Sequence, residues 1–515
     1  MAQHFTYYYL SRTKLVAPLL LFRISKHTLF CSVSQTFHQT PSLPSQCHSS
    51  PHPSLPQFIE LLKRVSHSSS PASESITLLD QSGLQPNRDL ICSAIWALRE
   101  EWKAAFVAFN WGNCYDDEKV CNLMIWVLGT HAKFSTAWSL IRDMHRSSIS
   151  TREAMLIMID RYVAANNCSK AIQTFHFMDK FRLTVDQEAC HALLNALCKH
   201  GNVEEAEEFM LANKKLFPLE TKSFNIILNG WCNITNDVFE AKRVWREMST
   251  YCITPDATSY SHMISCFSKI GNLFDSLRFY DEMKKRGWVP GIEVYNSLVY
   301  VLTRENCLKE AIKLIDKMKE EGLQPESATF NSMICPLCEV GKLAHARIIL
   351  NTMVKENLSP TVETYHAFFE ITDYPETLEF LSKMQDSGLG PREDSFLIIL
   401  VKFLKLKQHA NAVKIWMEMK KYDVVPSCMH YKTMVEGLVT CRWFIKARDF
   451  YEEMISNGCS EDPKLNMLFQ KELVESGDKG KQYVRKANRD KSQYFEMQKS
   501  LRRLKRELVV KKHEK

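Results

Sequence analysis

The residues of this 515-residue chain best placed to do chemistry are the pair Cys335 and Cys338, the acidic run Asp116, Asp117 and Glu118, and the segment Gly477-Asp478-Lys479-Gly480-Lys481. A C-x-x-C pair suits thiolate ligation of zinc, but a tetrahedral site needs further ligands and no second pair is present. A zinc deaminase also requires H-x-E, and no histidine is followed two residues later by glutamate. Three acids in a row can hold a cation, yet at a helix start they complement the positive end of the dipole. The Gly-Lys segment lacks the G-x-x-x-x-G-K-[ST] spacing that cradles phosphate. No nucleophile triad stands out, so the expectation is a non-catalytic protein with no cofactor and no metal.

Cys338 is informative in another way, because it occupies a slot that Cys198 and Cys232 also fill. Met recurs at 144, 178, 248, 283, 318, 353, 384, 419 and 454, mostly at intervals of 35. Ala137, Ala171, Ala206, Ala241, Ala311, Ala346, Ala412 and Ala447 keep the same phase, with Ser276 filling the missing step. Pro255, Pro290, Pro325, Pro360, Pro391 and Pro426 form a third column. A fixed period of this length is the signature of a repeat array. Within the unit 292–326, Leu308, Ala311, Ile315 and Met318 follow the helical period, and Gly322 with Pro325 supplies the stop. Each unit therefore predicts an amphipathic helical hairpin, with Gly201, Gly271 and Gly341 at the turn between its helices. Hairpins that bury their apolar faces only against neighbours stack, so the expected fold is all-α: an α-solenoid superhelix of about ten to eleven 35-residue hairpins.

The strings TKSFNIILNGWC, EVYNSLVYVL and ATFNSMICPLCEVGKLAHA, with EEMISNGC at the end of the array, resemble pentatricopeptide repeats of the P type over roughly residues 87–463. The units run 118–151, 152–186, 187–220, 221–256, 257–291, 292–326, 327–361, 362–392, 393–427 and 428–462. The limit at Leu219 and Glu220 stays open, and a degenerate hairpin is expected around 90–110. Unit 362–392 is four residues short and is expected to lose most of its inter-helix turn at ITDYPE. The domain division is 1–56 transit peptide and linker, 57–117 degenerate helical region, 118–462 repeat solenoid and 463–515 basic helical tail.

The resemblance implies binding of organellar single-stranded RNA, one base per repeat, to affect processing, stability or translation. It also implies which residues read the bases: the fifth of each first helix and the last of each unit. These are Asn122 with Thr151, Asn225 with Asp256, Ser261 with Gly291, Asn296 with Glu326, and Asn331 with Thr361. Only Asn225 with Asp256 matches cleanly, as a uracil reader. Leu156 and Leu397 cannot hydrogen-bond a base, and His191 and His366 depart from the pattern.

Charge divides the chain. Residues 1–57 carry four cations and no acid, and 479–515 carry fourteen Lys or Arg against four acids. Taking +4 and +10 from the formal +7 leaves the body at −7. The acid-free, Ser-rich start reads as an organelle transit peptide, for a mitochondrion or alternatively a plastid. Leu501, Leu504 and Leu508 among Arg and Lys make the tail a basic amphipathic helix, suited to RNA phosphates, a ribosome or an acidic protein partner. An acidic body and poor reading residues leave a non-catalytic protein-interaction scaffold open as the rival class. Seventeen cysteines without paired spacing predict reduced thiols rather than disulfides, and Leu15–Phe22 is too short to span a membrane.

Overall fold

A computed structural model describes residues 54–67, 77–81, 83–459, 463 and 465, so the expected leader and basic tail fall almost wholly outside the described residues. Among the described residues the chain is helices joined by short turns, with no strand. The described residues divide into two bodies, one running up to residue 332 and the other from residue 333. The first holds α1 (Leu55–His67), the hairpin α2 (Arg88–Ala97) and α3 (Trp102–Trp111), then α4 (Glu118–Thr130) and α5 (Phe134–Arg146), α6 (Arg152–Ala164) and α7 (Cys168–Phe177), α8 (Gln187–Lys199) and α9 (Val203–Ala212). It continues with α10 (Thr221–Asn229) and α11 (Val238–Thr250), α12 (Ala257–Lys269) and α13 (Leu273–Lys285), α14 (Ile292–Arg304) and α15 (Leu308–Glu320). The division falls inside α16 (Ser327–Glu339). The second body holds α17 (Leu343–Lys355), α18 (Val362–Ile371) and α19 (Tyr374–Asp386), α20 (Glu393–Lys405) and α21 (His409–Met419), α22 (Cys428–Thr440) and α23 (Phe444–Ser456).

Each first helix from α4 onward starts at the residue where the sequence period opens a unit, and the open limit resolves at Glu220, the N-cap of α10. The starts are chemical: Asp117, Asp186 and Asp256 accept backbone N–H groups of the helix they precede, satisfying donors with no partner inside it. The stops are conformational. Gly322 takes φ +85° after α15 while the Leu323 N–H bonds back to the Met318 carbonyl at 3.0 Å, closing the helix end.

The apolar columns are the core. Every methionine of the first column and every alanine of the second is buried, as is Ser276. Within the first body, first helices pack on their own partner and on the first helix of the next hairpin, α4 on α6, α6 on α8, and so on to α14; α18, α20 and α22 do the same in the second. This is hairpin stacking, in which neither helix of a unit can bury its stripe alone.

Three departures carry physical reasons. The chain runs 36 residues from Thr221 to Ala257, and Gly230–Thr235 at the end of α10 is π-helical, a bulge that absorbs an extra residue. The short unit loses more helix than turn. α18 has 10 residues where α16 has 13, and Thr372 and Asp373 still separate it from α19. Thr372 is extended and stops α18, while Asp373 caps α19 with Pro375 in its first turn, so the next helix begins at once. Lys402 of α20 fills the space left: it is 6% exposed and its Nζ donates to the Thr372 carbonyl and to Thr377 Oγ1.

The cysteine expectation is corrected. Cys428 and Cys459 form a disulfide, with Cα atoms 5.7 Å apart, while the other described cysteines are free. An antiparallel hairpin brings the start of its first helix beside the end of its second, so residues 31 apart in sequence meet. Cys338 is buried in the helical slot expected of it, and no metal-competent acid, His or Cys cluster occurs among the described residues.

Candidate nucleic-acid interface

Side chains four apart in a helix lie one above another on a single face. Residues five, nine and thirteen of successive units are Asn225, Asn229 and Asn233; Ser261, Ser265 and Lys269; and Asn296, Tyr300 and Arg304. These ridges touch. Asn233 Nδ2 donates to Asn229 Oδ1 at 2.7 Å, Ser265 Oγ donates to Asn233 Oδ1 at 3.0 Å, and Lys269 Nζ donates to the same oxygen at 2.7 Å. Arg304 Nη1 then donates to the Lys269 carbonyl at 2.6 Å. A polar strip therefore crosses α10, α12 and α14 without a break. A separate polar contact joins α6 and α8, where His200 and Lys199 lie 3.2 and 3.7 Å from Asp160 Oδ1. Burial alone raises the Asp160 carboxyl, but the His200 and Arg161 hydrogen bonds hold it well below the usual carboxylate range.

Lys199, Lys269 and Arg304, all at the thirteenth position, were not singled out from sequence. Net charge summed over an acidic body hides them; a column at 70- and 35-residue spacing is the signal that finds them. Asp117 of the acidic run is the cap of α4, accepting from the Lys119 and Val120 N–H groups.

The fifth residues are buried for polar groups. Asn122 and Asn225 are each 8% exposed, His191 and Asn296 each 4%. Asn122 Oδ1, Asn296 Oδ1 and His191 Nδ1 accept no hydrogen bond from the described protein, a costly arrangement for amide and imidazole groups away from water. The last residue of a unit is the N-cap of the following first helix. Asn225 Nδ2 donates to Asp256 Oδ1 at 3.0 Å, so the two residues expected to act together are joined. Asp256 at the same time accepts the Ser259 N–H at 2.9 Å. His191 Nε2 lies 3.0 Å from Glu220 Oε1, and burial pushes this imidazole toward its neutral form.

The other expected positions differ. Ser261 bonds back to the Ala257 carbonyl at 2.9 Å and Gly291 offers no side chain beside it. Asn331 is half-buried in the first body, and Thr361, in the second, caps α18 in a capping box with Thr364. Leu156 is half-buried, and its partner Asp186 is engaged by Arg152 at 2.7 and 2.9 Å. His366 Nε2 meets Ser395 Oγ at 3.0 Å.

The PPR repeat family matches residues 290–339, and single PPR repeats match 188–211, 258–288 and 429–459. A pentatricopeptide repeat-containing protein of Arabidopsis thaliana, named as mitochondrial, is 62% identical over 427 residues, 82% of this chain and 79% of its own. A second mitochondrial protein of that name and organism is 43% identical over 74% of this chain and 87% of its own, and a third is 34% identical over 82% and 75%. Among solved structures, a maize pentatricopeptide repeat protein aligns with TM-score 0.39 and 18% identity, covering 78% of this chain and 64% of that one, a little under two thirds of its length. Identity sustained at this level along three quarters or more of its relatives places the chain in the pentatricopeptide repeat family, as a mitochondrial member.

Proposed function

We propose that the chain binds single-stranded mitochondrial RNA along the polar strip of its first helices, and that it acts there in transcript processing, stability or translation. Bases meet the fifth and last residues of successive units, with Asn122, Asn225, Asp256, Ser261, Asn296, Asn331 and Thr361 as contacts. On this reading 118–462 is the binding array, 57–117 its helical start, 1–56 a leader for import and 463–515 a tail that adds phosphate contacts. The observation that carries it is the set of buried fifth-position acceptors left without partners at Asn122, His191 and Asn296, on first helices whose thirteenth positions include Lys199, Lys269 and Arg304. A ligand with hydrogen-bond donors on its edges and anionic links between them satisfies both features; a single strand of RNA has this form.

Asn225 and Asp256 offer an N–H beside a carboxylate oxygen. The complementary edge is a carbonyl beside a ring N–H, as in uracil. Selection from a randomised single-stranded RNA pool with the full chain tests the reading. An enriched sequence is expected, and Asn225→Ala should weaken binding to it by about tenfold, as loss of one paired base contact does. Failure to enrich any sequence sinks RNA recognition and leaves the protein-scaffold class standing. Deleting 479–515 should lower affinity and flatten its dependence on salt; an unchanged salt slope removes the tail from the phosphate contacts.

A further inference from the structure

The fifth and last residues do not act alone, because the third residue of the following unit touches both. In the fourth unit Ser259 Oγ lies 2.6 Å from Asn225 Oδ1, to which it donates, and the Asp256 backbone N–H donates to Ser259 Oγ at 3.1 Å. Asn225 Nδ2 in turn donates to Asp256 Oδ1. The result is a closed ring of hydrogen bonds. An amide can flip by half a turn and exchange its oxygen and nitrogen at almost no geometric cost, so its hydrogen-bonding face is set by its neighbours. Here the oxygen is consumed by a hydroxyl and one N–H by a carboxylate. What remains for a ligand is the second N–H, a donor.

The same three positions meet in the third unit, but without closing a ring, and there the acid sets the face. Ser223 Oγ lies 3.1 Å from His191 Nε2, and Glu220 Oε1 lies 3.0 Å from it. A neutral imidazole carries one N–H, and the carboxylate draws it to Nε2. Nδ1 is left as a buried acceptor with no partner. Where the set is incomplete, the fifth residue is not fixed. Asn122 is followed by Thr151 and Ala154, which supplies no hydroxyl, and its Oδ1 accepts nothing. Asn296 has both an acid, Glu326, and a hydroxyl, Thr329, yet the threonine hydroxyl only accepts the Glu326 N–H at 3.2 Å and Asn296 Oδ1 stays unpartnered; capping alone does not lock the amide, and the hydroxyl must also reach it, as Ser259 does.

We propose that the third residue of the following repeat is a positioning residue for base recognition: with an acid at the end of the unit, a hydroxyl that reaches the fifth side chain, as that of Ser259 does, decides whether that side chain presents a donor or an acceptor. The inference rests on the proposed RNA binding and deepens it. Two asparagines at equivalent positions then read different edges. Asn225, locked by Ser259, meets a base through a carbonyl acceptor, as on uracil or guanine. Asn122, unlocked, meets an exocyclic amino group, as on cytosine or adenine.

The test uses the full chain, the RNA selected from the randomised pool, and variants of that RNA with each base at each position. Ser259→Ala should reduce the preference for uracil over cytosine at one nucleotide by roughly 3- to 10-fold, the worth of one hydrogen bond, while other nucleotides keep theirs. Ser259→Thr, which installs the residue that at 329 caps without reaching the amide, should keep the cap and lose the preference as Ser259→Ala does. Removing the cap alone would lower affinity for every RNA in proportion and leave base ratios unchanged. The gain-of-function arm is Thr151→Asp against Thr151→Asp with Ala154→Ser. The double variant should move the nucleotide read by Asn122 toward uracil by a further 3- to 10-fold over the single one. An enriched sequence whose base ratios do not respond to Ser259 or Ala154 overturns the positioning role and leaves RNA recognition intact. Absence of any enriched sequence overturns both.

Discussion

Lys402 is a buried cation whose removal or neutralisation should be readable as a pH effect on stability. It is 6% exposed, held by the Thr372 carbonyl and Thr377 Oγ1, with its ammonium 4.2 Å from the centre of the Phe403 ring. Burial pulls its pKa down from 10.5 to about 8, against the opposing pull of Asp373, Glu376 and Glu370. The unfolded chain therefore holds a proton between about pH 8 and 10.5 that the folded chain has given up. Where the unfolded state binds more protons, stability rises with pH. A shift of this size corresponds to on the order of 3 kcal/mol gained across that window, and the same amount is the penalty carried below it. Lys402→Met removes the titration. It also leaves the Thr372 carbonyl without its donor, costing roughly 1–3 kcal/mol. Urea unfolding of wild type and variant at pH 7, 8, 9 and 10 gives the difference in stability at each pH. That difference should shift in favour of wild type as pH rises. Lys402→Arg, which keeps its proton throughout, should lose the pH effect and be less stable than wild type at pH 9. Parallel curves for wild type and Lys402→Met over the whole range would refute the buried-cation account.

Other outcomes follow from contacts already described or adjoining them. Arg243 of α11 bonds Glu207 of α9 at 2.7 and 2.8 Å, and Glu207 also accepts the Trp231 indole N–H at 3.1 Å; Arg243→Met strands a buried carboxylate and should cost roughly 3 kcal/mol by urea unfolding, with little change meaning that Glu207 is hydrated instead. Met318→Ala should cost about 2–5 kcal/mol through the cavity left in a fully buried column, and a loss below 1 kcal/mol means the neighbouring hairpin closes over it. Reducing Cys428–Cys459, or replacing Cys428 with Ser, should lower stability by about 3 kcal/mol without altering that of Met318→Ala relative to its parent; no difference between oxidised and reduced protein removes the crosslink from the ledger of the last hairpin.

What could be read from the sequence was whatever recurred. Met318, Ala311 and Gly322 repeat with their equivalents at one period, and a recurring environment writes a recurring residue, so helix starts could be placed to the residue. What did not recur stayed invisible. Cys428 and Cys459 meet because a hairpin folds back, and neither belongs to a local motif. Lys402 looks like any helix-surface lysine until α18 proves to be the shortened partner whose carbonyl it must satisfy. The candidate site lies between these cases. Its positions follow from the register, but whether Asn122 and Asn225 offer the same face depends on residues 154 and 259 in the next unit, and a pattern that pairs the fifth residue with the last passes over them.

Because the last residue of each unit is also the cap of the next first helix, any change there is felt twice: once by the ligand and once by the helix it begins. Residues that cap well, such as Asp186, Asp256, Thr361 and Ser427, can be exchanged among themselves at modest cost, whereas leaving that small set costs about 1 kcal/mol of helix stability at every unit altered. A protein of this kind can therefore be retargeted freely only within an alphabet that capping allows. Glu220, Glu326 and Arg392 mark the places where the array has stepped outside it.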